Sequence, residues 1–92
     1  MSVEIKWTDT DPATGQRRFL CCHRFAGQWW FKSKQQRRGE WRRDLEPTLE
    51  MWEHVLDSLH RRYRRREGVS DADIDQVERI VAGLRRRRGE EE

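Results

Sequence analysis

The sequence is poor in cysteine and has no long apolar run. Cys21 and Cys22 are the two cysteines among 92 residues. Adjacent strand residues point to opposite faces, so these thiols are poor partners for each other and no disulfide framework is expected. Unpaired thiols fit a reducing, cytoplasmic setting. No apolar stretch approaches the ~18–20 residues of a membrane span, and the polar, alternating start is unlike a secretory signal. We therefore expect a cytoplasmic protein that does not enter a membrane.

Apolar residues are scarce as well. They make up 34% of the chain and charged residues 40%, against roughly 45–50% and 25% in average globular domains. A chain of this size buries only about 60–65% of its unfolded surface, so a deep cofactor pocket would compete with the core. No Gly-rich phosphate loop is present, and Cys21, Cys22 and His23 are consecutive, so they cannot converge on one metal ion. We expect a binding protein with no catalytic residues, no cofactor and no metal.

Positive charge is concentrated in one half of the chain. Its 17 arginines and three lysines exceed the 17 acidic residues by three. Residues 1–46 hold ten Lys or Arg against six Asp or Glu, whereas residues 47–92 hold ten against eleven. The N-terminal half therefore carries the basic excess, which favours an anionic partner for that half.

Period-two alternation in the first half predicts strands. Val3, Ile5 and Trp7 project to one face of the first. Two further strands are predicted over residues 16–24 and 28–34, the first hairpin turning at residues 9–15. A three-residue loop of residues 25–27, with a left-handed Gly27, would complete the second hairpin. The expected core face is formed by Phe19, Cys21, His23, Trp29 and Phe31. A two-residue loop is the alternative, and it would exchange the two faces of the third strand.

Residues 40–43 are predicted to form a short fourth strand or an extended arm, with Trp41 packed inward. The periodicity changes at Pro47, which suits the first position of a helix. The apolar stripe of that helix consists of Leu49, Trp52, Val55, Leu56, Leu59 and Tyr63, and Gly68 is a plausible stop. Residues 70–73 resemble a capping box for a second helix, which Gly89 would end. The stripe of the second helix consists of Ile74, Val77, Ile80, Val81 and Leu84.

The predicted fold is α+β. Three to four antiparallel strands form a meander, and the two amphipathic helices that follow pack on one face of the sheet, in the order ββββαα. Residues 1–89 would form a single domain, with residues 90–92 as a disordered acidic tail. The opposite face of the sheet would remain in water, as antiparallel sheets allow.

That open face and the segment after it carry the candidate binding residues. They are Arg18, Arg24, Trp30, Lys32, Lys34, Arg37, Arg38, Arg42 and Arg43. Cations neutralise phosphates, and an exposed Trp offers bases a stacking surface. The pattern favours an anionic partner, either a nucleic acid or an acidic protein, although no RNP, KH or zinc-finger signature is present.

Two other functions fit the same face. Leu20, Cys22 and Trp30 would form an apolar island among charges, and Trp and Arg anchor protein interfaces. A homodimer, or docking of another protein through Trp30, is therefore the alternative. The less favoured hypothesis is a cysteine-dependent enzyme, which would need a reactive thiol at Cys22 beside Arg24 and Trp30.

Overall fold

The computed structural model describes residues 3–66 and 68–91, in which three strands precede two helices. The strands are β1 (Val3–Thr10), β2 (Arg17–Phe25) and β3 (Gln28–Lys34). They form an antiparallel sheet in the order β1-β2-β3. The α+β class and the meander are thereby confirmed.

The chain divides between Glu46 and Pro47 into two compact units, one containing the sheet and the other the helices. The basic excess belongs to the sheet unit, because the division coincides with the boundary between the two halves compared above. That one domain spans residues 1–89, and that the helices pack on one face of the sheet, stay predictions.

The loop of the first hairpin is residues 11–16 and not 9–15 as expected, because Asp9 and Thr10 still pair with β2. The backbone N–H of Gly15 donates to the carbonyl of Asp11 at 2.7 Å, and Gly15 adopts a φ of +72°. An Asp11 Oδ1 atom accepts from the backbone N–H of Ala13 at 2.9 Å. That bond lowers the pKa of Asp11 most, and the side-chain bond from Gln35 lowers it further.

The second hairpin corrects the predicted register. Its loop contains two residues, Ala26 and Gly27, with φ of +53° and +77°. Positive φ at both central positions defines a type I′ turn, which matches the twist of the flanking strands. Phe25 therefore opposes Gln28, and His23 opposes Trp30. Each β2 residue faces a β3 residue one position later than expected.

The shift reverses the faces predicted for β2. Opposed residues of an antiparallel ladder share a face. The buried face of the sheet, here the core face, contains Val3, Ile5, Leu20, Cys22 and Phe31. Trp7 lies on it too, with its ring edge-on to Phe31 at a centroid distance of 6.4 Å. The opposite side is named the Trp30 face, and its members include Lys6, Phe19, Cys21, His23, Phe25, Trp30, Lys32 and Lys34.

The predictions for β1 and β3 are confirmed by this register, since Val3, Ile5, Trp7, Trp29 and Phe31 share the core face. The prediction for β2 is wrong. Phe19, Cys21 and His23 lie on the Trp30 face, whereas Leu20 and Cys22 lie in the core. A one-residue slip produces this outcome because side chains alternate with a period of two.

The segment after β3 is an extended arm. Within residues 3–66 and 68–91, the structure contains no fourth strand beyond a single bridge between Ser33 and Arg42. The backbone N–H of Ser33 donates to the carbonyl of Arg42 at 2.9 Å, and the N–H of Arg42 donates to the carbonyl of Ser33. We name residues 40–44 the arm.

The first helix, α1, spans Leu49–Arg64. Thr48 is its N-cap, since the Thr48 hydroxyl accepts from the backbone N–H of Met51 at 3.3 Å. Pro47 therefore precedes the cap, and its predicted place at the first helical position is wrong. The predicted stripe is largely buried, although Leu56 is half-buried and Tyr63 exposed. Gly68, with a φ of +80°, lies in the connection after the helix has ended.

The second helix, α2, spans Asp71–Glu91 and begins with the predicted capping box. The backbone N–H of Asp73 donates to Ser70 Oγ at 3.2 Å, and the N–H of Ser70 donates to an Asp73 carboxylate oxygen at 3.1 Å. The helix continues past Gly89, so that glycine does not end it as expected. Two of the three residues predicted as a disordered tail fall within its span, and Glu92 lies outside the described residues.

Ion pairs show that the helices run antiparallel. Arg88 pairs with Glu50 and Arg85 with Glu53, and His60 Nε2 lies 3.4 Å from a Glu78 carboxylate oxygen. Later positions of one helix thus meet earlier positions of the other. Some of the arginines therefore hold the two helices of this unit together.

Candidate functional site

Aromatic and basic side chains alternate on the Trp30 face. Trp30 is 50% exposed and Phe25 68%, which is unusual for large apolar residues. Lys32 and Lys34 follow Trp30 at every second position of β3 and therefore point to the same side. The result is a row in which apolar rings and ammonium groups share one surface.

The arm adds a second tryptophan to this face. The Trp41 ring contacts two lysines, with its centroid 4.9 Å from Lys32 Nζ and 4.5 Å from Lys34 Nζ. An ammonium over an indole face is a cation–π contact. Trp41 was expected to pack inward, and that expectation is wrong. The single β-bridge and these two contacts hold it beside the lysines instead.

An open pocket of about 260 Å³ lies beside this row. It is lined by His23, Phe25, Trp30, Phe31, Lys32 and Arg43. Phe25 is the last residue of β2, and the type I′ turn brings it opposite the start of β3. Arg43 comes from the arm, so the pocket combines two strands with the segment that follows them.

The structure brings together four of the nine predicted site residues. Trp30, Lys32 and Lys34 share the face, and Arg43 reaches the same pocket. Arg37 and Arg38 are exposed in the loop that connects β3 to the arm. Arg42 forms the bridge to β3, and its exposed guanidinium lies 3.7 Å from Asp44.

The remaining two, Arg18 and Arg24, lie on the core face and not beside Trp30. Arg18 is 9% exposed, and Asp9 accepts two hydrogen bonds from its guanidinium. These bonds raise the pKa of Arg18 above its ordinary value. Arg18 and Arg24 were predicted to share one surface with Trp30. That prediction is wrong, because the register slip moves even-numbered β2 residues to the core.

His23, Phe25 and Trp41 belong to the site, but the sequence did not indicate them. The length of the second hairpin turn decides that Phe25 and His23 lie on the Trp30 face. The position of Trp41 depends on the bridge to β3, which no local sequence pattern encodes. Only for Phe25 did the sequence contain a signal that could have revealed its place in the site. An aromatic residue favours a strand position over a loop position, which would have extended β2 by one residue and corrected the register.

Both thiols are unsuited to nucleophilic chemistry. Cys21 and Cys22 are unpaired and fully buried. Burial is the main cause that raises the pKa of each thiol above its ordinary value, and the effect on Cys22 is large. A reactive cysteine needs a lowered pKa and partial exposure. The hypothesis of a cysteine-dependent enzyme therefore has no support at Cys22.

The described residues contain neither a group of metal-ligating side chains nor a membrane-spanning helix. Within residues 3–66 and 68–91, no three His, Cys, Asp or Glu side chains are grouped so that they could hold a metal ion. No helix in that part of the chain is both long and apolar enough to cross a bilayer.

Comparison of the chain with protein-family models, with curated proteins and with solved structures finds no match in any of the three. The function is therefore inferred from the geometry of the Trp30 face.

Proposed function

We propose that the protein binds nucleic acid through the Trp30 face and the arm. The observation that carries the proposal is the exposure of Trp30 and Phe25 next to the cationic groups of Lys32, Lys34 and Arg43. Rings that stack on bases, interleaved with cations that meet phosphates, are the usual means of binding a strand.

The charges of the two units support the same surface. Residues 1–46 carry a net charge of +4, and residues 47–92 a net charge of −1. Several arginines of the helical unit are paired with carboxylates, including Arg61 with Asp57 and Arg79 with Asp75. Lys32 and Lys34 of the Trp30 face instead contact aromatic rings, which leaves their positive charge without a neutralising carboxylate in those contacts. Lys6 on the same face differs, because its Nζ lies 3.2 Å from a Glu4 carboxylate oxygen.

Binding should depend steeply on salt. Each phosphate neutralised on a single strand contributes about −0.7 to the slope of log K against log salt concentration. Contacts by Lys32, Lys34 and Arg43 would therefore give a slope of about −2. Fluorescence anisotropy of labelled DNA and RNA oligonucleotides, at several salt concentrations, measures this slope directly.

The sharpest variant replaces Lys32, Lys34 and Arg43 together with Ala. A matched control replaces Arg64, Arg86 and Arg87, three exposed arginines of the helical unit, and changes the net charge equally. We expect the first variant to lose most of the salt-sensitive affinity and the control to keep it. Equal losses would mean that net charge alone drives binding, and no salt-sensitive binding by the native chain would refute the proposal.

A protein partner is the second candidate function. Exposed aromatic residues surrounded by charges are also typical of interface anchors, and Phe25 and Trp30 are two such residues. A homodimer through this face should dissociate on Trp30→Glu. Sedimentation velocity between low and high micromolar concentrations tests it, and a monomer at all concentrations would exclude self-association of that strength.

We also infer that the protein is cytoplasmic and does not catalyse a reaction. Two unpaired, buried thiols suit a reducing compartment. Burial that raises the pKa of both thiols leaves neither of them suited to act as a nucleophile.

A further inference from the structure

The pocket beside Trp30 contains a polar atom that lacks a partner. His23 is one of its lining residues, and its Nδ1 atom is buried without a hydrogen bond to any described part of the chain. Buried side-chain nitrogen atoms are normally satisfied, because leaving one unpaired is costly. Because that atom has almost no accessible surface, a ligand in the pocket can bond to it only after the His23 imidazole ring rotates.

The size of the pocket limits that partner. About 260 Å³ lies just under the range of roughly 300–1,000 Å³ for sites that take drug-sized ligands. One planar ring system fits such a space better than a complete cofactor. Phe25 and Trp30 supply aromatic surface, and Lys32 and Arg43 place two cations at the same pocket.

Those features together describe a nucleobase joined to a phosphate. A base stacks on aromatic rings, its edge carries donors and acceptors, and the neighbouring phosphate suits Lys or Arg. A neutral imidazole presents a donor at one nitrogen and an acceptor at the other. His23 can therefore meet a base edge with either tautomer.

We propose that this pocket takes one unpaired base of a single-stranded nucleic acid, with the base stacked beside Trp30 and hydrogen-bonded to His23. The inference deepens the proposed function and rests on it. In a duplex the base is stacked on both sides and its pairing edge is occupied, so it must leave the helix before it can enter a pocket. The protein should therefore prefer single strands to duplexes.

Three fluorescently labelled probes test the inference with the 92-residue chain. The first is a ten-nucleotide oligothymidine, the second an abasic strand of equal length and charge, and the third a duplex containing the first strand. We expect the oligothymidine to bind roughly tenfold more tightly than the abasic strand or the duplex, as loss of base stacking predicts. The abasic strand is the matched control for phosphate contacts alone.

Variants assign the preference to the pocket. Trp30→Ala and His23→Ala should lower the affinity for oligothymidine toward that for the abasic strand, without changing the affinity for the abasic strand. Tyr63→Ala and His60→Ala are matched controls, since both positions lie on α1 in the helical unit, and they should change neither. Circular dichroism and thermal melting establish that each variant is folded.

A direct measurement avoids dependence on the variants. The imidazole ¹⁵N resonances of His23 in the native chain should shift when oligothymidine is added and stay in place when the abasic strand is added. An unchanged His23 resonance in the presence of saturating oligothymidine would overturn the proposal.

The possible outcomes distinguish binding of a base in the pocket from nucleic-acid binding in general. Equal, salt-dependent binding of all three probes would overturn the base pocket and leave nucleic-acid binding in place. No salt-dependent binding of any probe would remove both. Self-association that Trp30→Ala abolishes, without binding of any probe, would assign the pocket to a protein interface.

Discussion

Arg18 and Asp9 oppose each other across β1 and β2 and form a two-pronged ion pair. Arg18 Nε donates to one carboxylate oxygen at 2.9 Å, and Arg18 Nη2 donates to the other at 2.8 Å. The arginine is nearly buried, whereas Asp9 is partly exposed. This guanidinium therefore serves the sheet, although the sequence placed it among the anion-binding residues.

Replacing Arg18 with Ala should destabilise the sheet and leave ligand binding intact. Removal of hydrogen bonds to a charged group typically costs about 2 kcal/mol, which urea denaturation followed by tryptophan fluorescence can resolve. Arg17→Ala is the matched control, because Arg17 is exposed and points to the other face. A larger loss of oligonucleotide affinity with Arg18→Ala than with Lys32→Ala would show that Arg18 contacts the ligand after all.

The sequence was sufficient to predict which segments form the sheet and that the fold is α+β. It was not sufficient to predict the face on which each β2 residue lies. Element types follow from periodicity, which extends over many residues. The register depends on one loop, and Ala26 is an unexpected residue for a left-handed turn position. The predicted face of Trp30 is correct, but the wrong loop length led to the prediction that Arg18 and Arg24 share that face.

The helical unit was more predictable because its signals are local. Ser70 and Asp73 are three residues apart and form the capping box by themselves. The position of Trp41 is the opposite case, since it depends on a bridge to β3 and on two lysines seven and nine residues away. The sequence therefore sufficed to predict the lysines of the site and an extended arm, but not the side of the sheet on which Trp41 of the arm packs.

Ala26→Asn should stabilise the protein by about 1 kcal/mol, since a left-handed conformation costs an ordinary L-residue about 1–2 kcal/mol and Asn tolerates it. Urea denaturation measures the change. Ala13→Asn is the control, because Ala13 is also exposed in a hairpin loop but has no positive φ. In the three-residue loop first expected, Ala26 would be right-handed, so an unchanged or lower stability would contradict the observed register.

The two buried thiols should resist alkylation in the native state. Their raised pKa values keep them protonated near neutral pH, so labelling by iodoacetamide should be slow until urea unfolds the chain. Rapid labelling of either thiol in the native state would contradict the burial of that thiol. The comparison of Cys21→Ala with Cys22→Ala assigns each rate to one thiol.

The same shift predicts a loss of stability in alkali. An unfolded thiol ionises near its ordinary pKa of 9.0, whereas native Cys22 remains protonated, so the native state binds more protons above that pH. Stability should therefore be unaffected below about pH 8 and fall above pH 9, by at most about 1.4 kcal/mol per pH unit for one thiol. Urea midpoints between pH 7 and pH 10 measure the fall. Cys22→Ala should reduce it, and an identical fall in that variant would assign it to other groups.

Glu50 and Arg88 connect the start of α1 to the end of α2, with Arg88 Nη1 2.9 Å from a Glu50 carboxylate oxygen. The bond from Arg88 is the main cause that lowers the pKa of Glu50 below its ordinary value of 4.5. A lowered carboxyl pKa means that the pair stabilises the folded chain above that value and is lost as the pH falls through the folded pKa.

The carboxyl ¹³C titration of Glu50 should therefore have a midpoint below 4.5, and Arg88→Ala should raise it. Arg86→Ala is the control that should leave the midpoint unchanged, because Arg86 is exposed and lies two residues before Arg88. A Glu50 midpoint that does not respond to Arg88→Ala would mean that the helices do not meet at these ends in solution.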